Sequence, residues 1–343
     1  MGQPLVSVAM PVRNAEATLP EALESLQRQD LKSFEIVVVD HGSTDSTPDL
    51  LHKASARDSR IQVHRWEGTF VEAANLAWQR STGEWIARMD ADDVCDSTRL
   101  SEQIAFLQAN PNLDACGTLV RIRKRGNTPF TSLPADGGYA RYEEWVNSVR
   151  SPTEIKGERF VDSPVPNPTS MIRRETLLEL GGFEDPTWAE DYDFWLRFLE
   201  GGYRVAKVPK VLLDWYDSPT RSTRSIPRYE LEQFQLAKAH YLSRLSSIQK
   251  FGAVIWGAGP IGKQMARFLQ SKGIKVPYFV EVDPKKIGNT ILGAPVISTS
   301  CLPDRLSSSI LLAAVGVVGA RDEIRENVAK LDRREGIDFF CVA

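Results

Sequence analysis

The segment Phe34-Glu-Ile-Val-Val-Val-Asp40 limits the possible folds more than any other stretch of the chain. Five of its seven side chains are apolar, and they do not alternate with polar ones. A strand wet on one face would alternate, so this run needs cover on both faces, as in a parallel sheet flanked by helices. Its neighbours agree. Leu5-Val-Ser-Val-Ala-Met10 reads as a strand and Ala17 to Gln29 as an amphipathic helix. Thr44 to Arg57 is a second helix, with Ser43 or Asp45 available as caps. Ile61 to Trp66, Glu84 to Met89 and Leu113 to Arg123 are further strands. Phe70 to Ser81 and Thr98 to Ala109 are further helices, the last ended by Asn110-Pro111. This βαβ rhythm predicts an α/β fold with an open sheet, whose ligands bind at the carboxyl ends of the strands.

After Arg125 the rhythm weakens. Residues 125–168 are rich in Gly, Pro and Ser, with one helix expected near Tyr139 to Val149; such long irregular segments often form binding loops. Helical periodicity returns at Arg174 to Leu180 and at Glu190 to Glu200. Asp217 to Pro227 reads as a linker, Tyr229 to Gln249 as a helix, and a second alternating unit runs from Phe251 onward. The expected organisation is a first domain over 1–225, a linker helix over 226–249 and a small second domain over 250–343. A chain of 343 residues can bury two cores.

Composition excludes little. A net charge of −3 gives no global attraction for nucleic acid. Cys95, Cys116, Cys301 and Cys341 are scattered without a Cys-x-x-Cys, which suits free thiols in a reducing cytoplasm. The longest apolar run, Ile310 to Ala320, is too short to span a bilayer. The expected location is therefore cytoplasmic. A peripheral association with membrane and a homo-oligomer both stay open.

Chemistry concentrates in Met89-Asp-Ala-Asp-Asp93. Asp90, Asp92 and Asp93 follow an apolar run and repel one another unless a cation sits among them. Mg²⁺ and Mn²⁺ prefer carboxylate oxygens and often also hold substrate phosphates. A solvated turn or a helix cap is the plainer reading of the same residues.

Four ordered segments bear on that choice: Val6-Ser-Val-Ala-Met-Pro-Val-Arg-Asn14, Val39-Asp-His-Gly-Ser-Thr-Asp-Ser-Thr47, Met89 to Asp93, and Ala189-Glu-Asp-Tyr-Asp-Phe-Trp-Leu-Arg197. Together they resemble the motifs of family-2 glycosyltransferases with a GT-A fold. The resemblance implies a nucleotide-diphosphate sugar donor, with Pro11 and Arg13 lining the nucleotide pocket and Asp40 reading the nucleotide. The family commonly has a second acid after Asp40. Here His41 takes that place, so the nucleobase stays open, with UDP the first expectation. Asp92 is expected to hold Mg²⁺ or Mn²⁺ and Asp90 to meet the ribose or the same metal. Asp93 is expected in a supporting role or as a cap for the helix that follows. Asp191 is the expected general base, oriented by Glu190, which implies single displacement with inversion. Asn167 and Thr169 are candidates at the acceptor site, as is Trp188 beside the base. Trp195 is expected in the core. Arg221 and Arg224 are candidate lid residues.

The second unit opens with Phe251-Gly-Ala-Val-Ile-Trp-Gly-Ala-Gly-Pro-Ile-Gly262, a strand running into Gly-x-Gly-x-x-Gly, with Glu281 and Asp283 about twenty residues on. Gly257, Gly259, Gly262 and Asp283 are its candidate ligand residues. The unit resembles the small Rossmann-like domains of bacterial sugar acyltransferases, and the two-domain layout resembles queuosine-tRNA galactosyltransferases. A glycan acceptor in bacterial surface-polysaccharide synthesis is the first expectation. A tRNA acceptor is second, with Arg121-Ile-Arg-Lys-Arg125 as candidate phosphate contacts. A non-catalytic nucleotide- or NAD-sensing scaffold is the reading from a different class.

Overall fold

The computed structural model describes residues 3–125, 132–217, 226–302, 308–317 and 319–343. Its contacts divide the chain into two units. The first comprises Met1–Ile155, Val165–Pro186 and Asp193–Ser225; the second comprises Lys156–Pro164, Thr187–Tyr192 and Ile226–Ala343. Two short segments ahead of residue 226 thus cluster with the later part of the chain.

The first unit is built on strands β1 (Val6–Val12), β2 (Phe34–Asp40), β3 (Ile61–Arg65), β4 (Trp85–Arg88), β5 (Val94–Cys95), β6 (Ala115–Arg125), β7 (Ser132–Pro134), β8 (Met171–Arg173) and β9 (Val205–Asp217). Their order in the sheet is β3-β2-β1-β4-β8-β6-β9-β5, with β7 on β6. β1 to β4 are parallel, and all seven side chains of β2 are buried, as its apolar run requires. From β1 the chain moves to β2 and β3 on one side and returns to β4 on the other. The crevice at the carboxyl ends of β1 and β4 is therefore the switch point where open α/β sheets take ligands.

Helices α1 (Leu19–Gln27), α2 (Thr47–Arg57), α3 (Phe70–Arg80), α4 (Arg99–Ala109), α5 (Gly137–Ser148), α6 (Pro152–Glu158), α7 (Arg174–Leu180) and α8 (Glu190–Glu200) connect the strands. Local chemistry sets several ends. Thr69 and Glu72 form a reciprocal capping box on α3, and Gly181 closes α7 in the left-handed region at φ 73°. The irregular stretch after Arg125 holds α6 as well as the expected helix, and β8 was not anticipated. Three residues are too few for periodicity to register. Trp195 is fully buried and packs edge-on to Phe194 and Phe198.

The second unit has helices α9 (Leu231–Arg244), α10 (Ser246–Phe251), α11 (Pro260–Ser271) and α12 (Ala320–Ala329). Its strands are β10 (Ala253–Trp256), β11 (Phe279–Glu281), β12 (Thr290–Ile291), β13 (Ala294–Ser298), β14 (Ile310–Ala313) and β15 (Phe339–Cys341). The order is β12-β13-β11-β10-β14-β15, parallel except for β12. The expected single helix from Tyr229 to Gln249 is in fact two, because Leu245 turns extended at ψ 122° and its carbonyl starts a new helix. Arg159 lies over the rings of Phe160 and Phe340, which meet edge-on at 5.5 Å, and this fixes the 156–164 segment in the unit.

The glycines of the turn after β10 divide the work. A Cβ at Gly262 would stand 1.9 Å from the Gly257 carbonyl oxygen, whereas one at Gly259 would meet nothing within 4 Å. Gly262→Ala is expected to destabilise this unit by about 1–3 kcal/mol through overpacking. Gly259→Ala should stay within about 0.5 kcal/mol. Denaturant unfolding of both variants checks the contrast, and equal stability would refute the close approach.

Candidate active site

Asp90, Asp92 and Asp93 emerge just after β4 at the switch point. One carboxylate oxygen from each can be chosen so that all three lie within 4.8 Å of one another. The three are not equivalent. Arg88, on β4 and almost wholly buried, donates from Nη2 to Asp90 Oδ1 at 2.8 Å and from Nη1 to Ala9 O at 3.1 Å. Asp93 is fully buried, and its Oδ1 accepts from Tyr216 N at 2.9 Å, tying the loop to the end of β9. It does not cap the next helix, whose N-cap is Thr98. Asp92 keeps partial exposure, and Arg125 Nη2 holds its backbone carbonyl at 3.0 Å. Asp92 is thus the acid best placed to meet a ligand from solvent.

Beneath the cluster lies a second buried cation. Arg99 donates to Arg88 O at 2.8 Å and to Gln103 Oε1 at 3.1 Å. Burial lowers its pKa, and nearby acidic groups including Asp93 oppose that shift; the guanidinium remains charged all the same. Two buried positive charges offset the mutual repulsion of the carboxylates. The hard oxygen donors, one pinned by Arg88 and one open to solvent, fit Mg²⁺ or Mn²⁺ better than a soft metal. Sequence reasoning missed Arg88 and Arg99, although an arginine inside the apolar strand Trp-Ile-Ala-Arg was a usable signal.

The loops after β1 and β2 are hydrogen-bonded into one surface. Ser43 Oγ accepts from Asn14 N at 2.9 Å, Asn14 Oδ1 from Thr44 N at 2.8 Å, and Thr47 Oγ1 from Ala15 N at 2.8 Å. Asn14 adopts φ 48°, in the left-handed region an asparagine tolerates. Pro11 is buried within β1, and Arg13 stands exposed just beyond it. Asp40 is 3% exposed and accepts from Ser43 N at 3.1 Å. His41 is buried beside it and meets Phe70 edge-on at 5.9 Å. Burial lowers the His41 pKa and the Arg13 charge lowers it further, against Asp40 and a hydrogen bond to Gly68. The imidazole is therefore neutral at pH 7, and its Nδ1 has no hydrogen-bond partner.

That shift has a definite sign. A histidine whose folded pKa is depressed binds fewer protons folded than unfolded. The native state therefore loses stability as pH falls below about 6.5, down to the folded pKa. His41→Gln is expected to flatten the fall in Tm between pH 7 and pH 5 relative to the native chain. Parallel melting curves for the two proteins over that range would rule this out.

Glu190 and Asp191 begin α8, where the helix dipole favours acids. Glu190 is 4% exposed, and both its oxygens accept from Tyr229 Oη at 2.9 Å, with Arg228 Nη1 at 3.5 Å. Burial and the Glu190 charge push the Tyr229 pKa up, which keeps its hydroxyl a donor. Asp191 is half-buried, and its Oδ1 accepts from Tyr192 N at 2.7 Å. Tyr192 is fully buried and donates from its hydroxyl to Arg159 O at 2.7 Å. Glu190 is thus held by two named partners, and Asp191 is the more accessible of the pair. Neither Tyr229 nor Arg228 was foreseen, because both are far from Glu190 in sequence.

Among the acceptor candidates, Thr169 is fully buried and spends its hydroxyl on Pro166 O at 2.7 Å, while its carbonyl accepts from Gln103 Nε2 at 2.9 Å. It holds a turn, a correction to the expected substrate contact. Asn167 in the same turn has a buried Oδ1 without a hydrogen-bond partner. Trp188 is half-buried against the His240 ring at 5.2 Å. Arg221 and Arg224 lie outside the described residues. The basic run on β6 is matched by acids: Arg121 pairs with Asp214 at 2.6 Å, Lys124 with Asp136 at 2.5 Å and Arg125 with Glu21 at 3.0 Å.

In the second unit, Gly257 needs its φ of 118°, and Gly262 lets α11 approach the turn. The acid that reaches this turn is Glu281, whose Oε2 accepts from Ala258 N at 3.2 Å and from Lys286 Nζ at 3.0 Å. Asp283, the acid expected there, instead accepts from Lys285 N at 3.0 Å and closes its own turn.

Comparison with known proteins gives a consistent result. Residues 7–181 match the family described as Glycosyl transferase family 2, and residues 249–331 match a CoA binding domain. The uncharacterized glycosyltransferase EpsJ of Bacillus subtilis is 35% identical over 73% of this chain and 71% of its own. The amylovoran biosynthesis glycosyltransferase AmsE of Erwinia amylovora is 25% identical over 61% of this chain and 75% of its own. The structure of S. aureus TarS 1-349 in complex with UDP-GlcNAc superposes with a TM-score of 0.52 at 20% identity, covering 77% of this chain and 71% of that one, a likeness of fold. Among the described residues, no helix is long and apolar enough to cross a membrane.

Proposed function

Because the chain belongs to glycosyl transferase family 2, we propose that it moves one sugar from a UDP-sugar to an acceptor hydroxyl with inversion at the anomeric carbon. The acidic cluster at the switch point carries this reading: Asp90 and Asp92 lie where a nucleoside diphosphate would enter, over the buried cations Arg88 and Arg99. The two residues would hold Mg²⁺ or Mn²⁺, which would neutralise charge on the departing diphosphate as a Lewis acid. The loops after β1 and β2 present Arg13, Asp40 and neutral His41 to the nucleotide. Asp191 takes the acceptor proton, and Glu190, fixed by Tyr229 and Arg228, positions it. A single base and a single displacement give inversion.

The acceptor is a glycan. The relative named for amylovoran biosynthesis favours this, and the acid-paired basic run on β6 leaves few cations for a tRNA backbone. The test is release of UDP from a panel of UDP-sugars with Mn²⁺. Hydrolysis or transfer that ignores Asp92→Asn would sink the assignment. Retention of tRNA that weakens steeply between 50 and 200 mM salt, roughly the range where phosphate contacts are screened, would instead revive the tRNA acceptor.

A further inference from the structure

The second unit holds a cavity of about 380 Å³ that sugar transfer does not use. Its volume is at the small end of small-molecule sites, room for one compact metabolite. Phe234, Ile261 and Val342 give it apolar walls, and Asp162, Gln235 and Lys238 place an acid, an amide and an amine among them. Polar groups in such a setting cost free energy unless each finds a partner.

Each of the three has bonding capacity to spare. Gln235 is 1% exposed, and its Oε1 has no hydrogen-bond partner. Asp162 Oδ1 accepts from Ser163 N at 2.6 Å, which leaves Oδ2 for a further donor. Lys238 donates to Val161 O at 2.7 Å and to Val342 O at 3.1 Å, so one of the three N–H groups of its ammonium is left over. Burial raises the pKa of Asp162 and lowers that of Lys238 to about 8, against their mutual attraction. No ion pair closes between them among the described residues. Arg321, the other cation near both, donates to Ala343 O at 3.0 Å.

A ligand that completes this set carries a positive N–H group for Asp162 and Gln235, a carboxylate for Lys238 and an apolar body for the Phe234 wall. A free α-amino acid with a large apolar side chain has all three. Its two charges pair both protein ions and add no net charge, whereas an amine or a carboxylate alone leaves one ion uncompensated. The cavity also touches the start of α8. Tyr229, another of its walls, donates to Glu190, and the Phe234 ring stacks on Tyr192 at 5.3 Å and 29°. We propose that this cavity binds a free α-amino acid with a large apolar side chain, and that the bound ligand steadies residues 187–192 through Tyr229–Glu190 and Phe234–Tyr192. Its bearing on sugar transfer rests on the role proposed for Asp191.

Phenylalanine is the probe, titrated into the full chain by calorimetry and followed by hydrogen exchange. It is expected to bind and to slow exchange across residues 187–192. Phenethylamine, which lacks the carboxylate, and hydrocinnamate, which lacks the ammonium, should each bind about tenfold or more weaker, the loss of one charge-assisted contact. Gln235→Leu and Asp162→Asn should weaken phenylalanine by a similar factor, and the two analogues keep the test decisive where a variant folds poorly. Tyr229→Phe should keep binding and lose the slowed exchange. Binding should survive Asp92→Asn; its loss there would place the ligand in the first unit and overturn the proposal. Absence of phenylalanine binding, equal affinity for either analogue, indifference to both cavity variants, or unchanged exchange at 187–192 would overturn it equally. None of these readouts needs sugar transfer, so a failure of the transferase assignment would show separately.

Discussion

Asp191→Asn is expected to lower kcat for transfer by about 10²–10⁴-fold, the usual contribution of a positioned general base. Asparagine has nearly the same shape and can still accept from Tyr192 N, as Asp191 Oδ1 does at 2.7 Å, so the start of α8 should keep its geometry. What disappears is the ability to take a proton. The KM for the UDP-sugar should change little, because the role proposed for Asp191 is on the acceptor. Steady-state kinetics with donor and acceptor varied separately checks this. Near-native kcat in a variant that still binds donor would remove Asp191 from the role. Glu190→Gln should have a smaller effect, since Tyr229 can still donate to the amide oxygen.

Asp92→Asn is the second large expectation. Removing one anionic ligand of a cation worth several kcal/mol of transition-state charge should cost about 10²–10⁴-fold in kcat/KM, and the dependence on Mn²⁺ should move to higher concentration. The half-buried position of Asp92 implies little change in stability. Asp93→Ala is the control. It strands the Tyr216 N–H in a buried setting and is expected to cost about 1–3 kcal/mol in folding instead. Metal titrations of activity beside denaturant curves separate the two, and the same loss of activity with the same loss of stability in both variants would refute the division of roles.

Local periodicity was enough to read most of the first sheet. The apolar run of β2 and the amphipathic helices around it are signals carried within ten or so residues. Motif order then placed Asp40, Asp90 and Asp92 at strand ends. Four strands of the sheet were harder. β8 and β7 are three residues long and β5 only two, so none of these has a period to detect, and the 13-residue β9 was also not read as a strand. The broken helix at Leu245 was also invisible, since serine and leucine there carry no breaker signal.

The same contrast holds at the site. Sequence by itself determined the parallel core, the second βαβ unit with its glycine turn, and the loops that bear the acids. All of these follow from residue types at fixed short spacings. Tertiary structure alone decided the rest: Arg88 and Arg99 as buried counter-charges, Tyr229 holding Glu190 from 39 residues away, Glu281 rather than Asp283 on the glycine turn, and Tyr216 N as the partner of the supporting acid Asp93. Each is a matter of which way a side chain points and what distant group it meets. Burial and hydrogen-bond partners of that kind are fixed by packing between segments, for which no local pattern stands in.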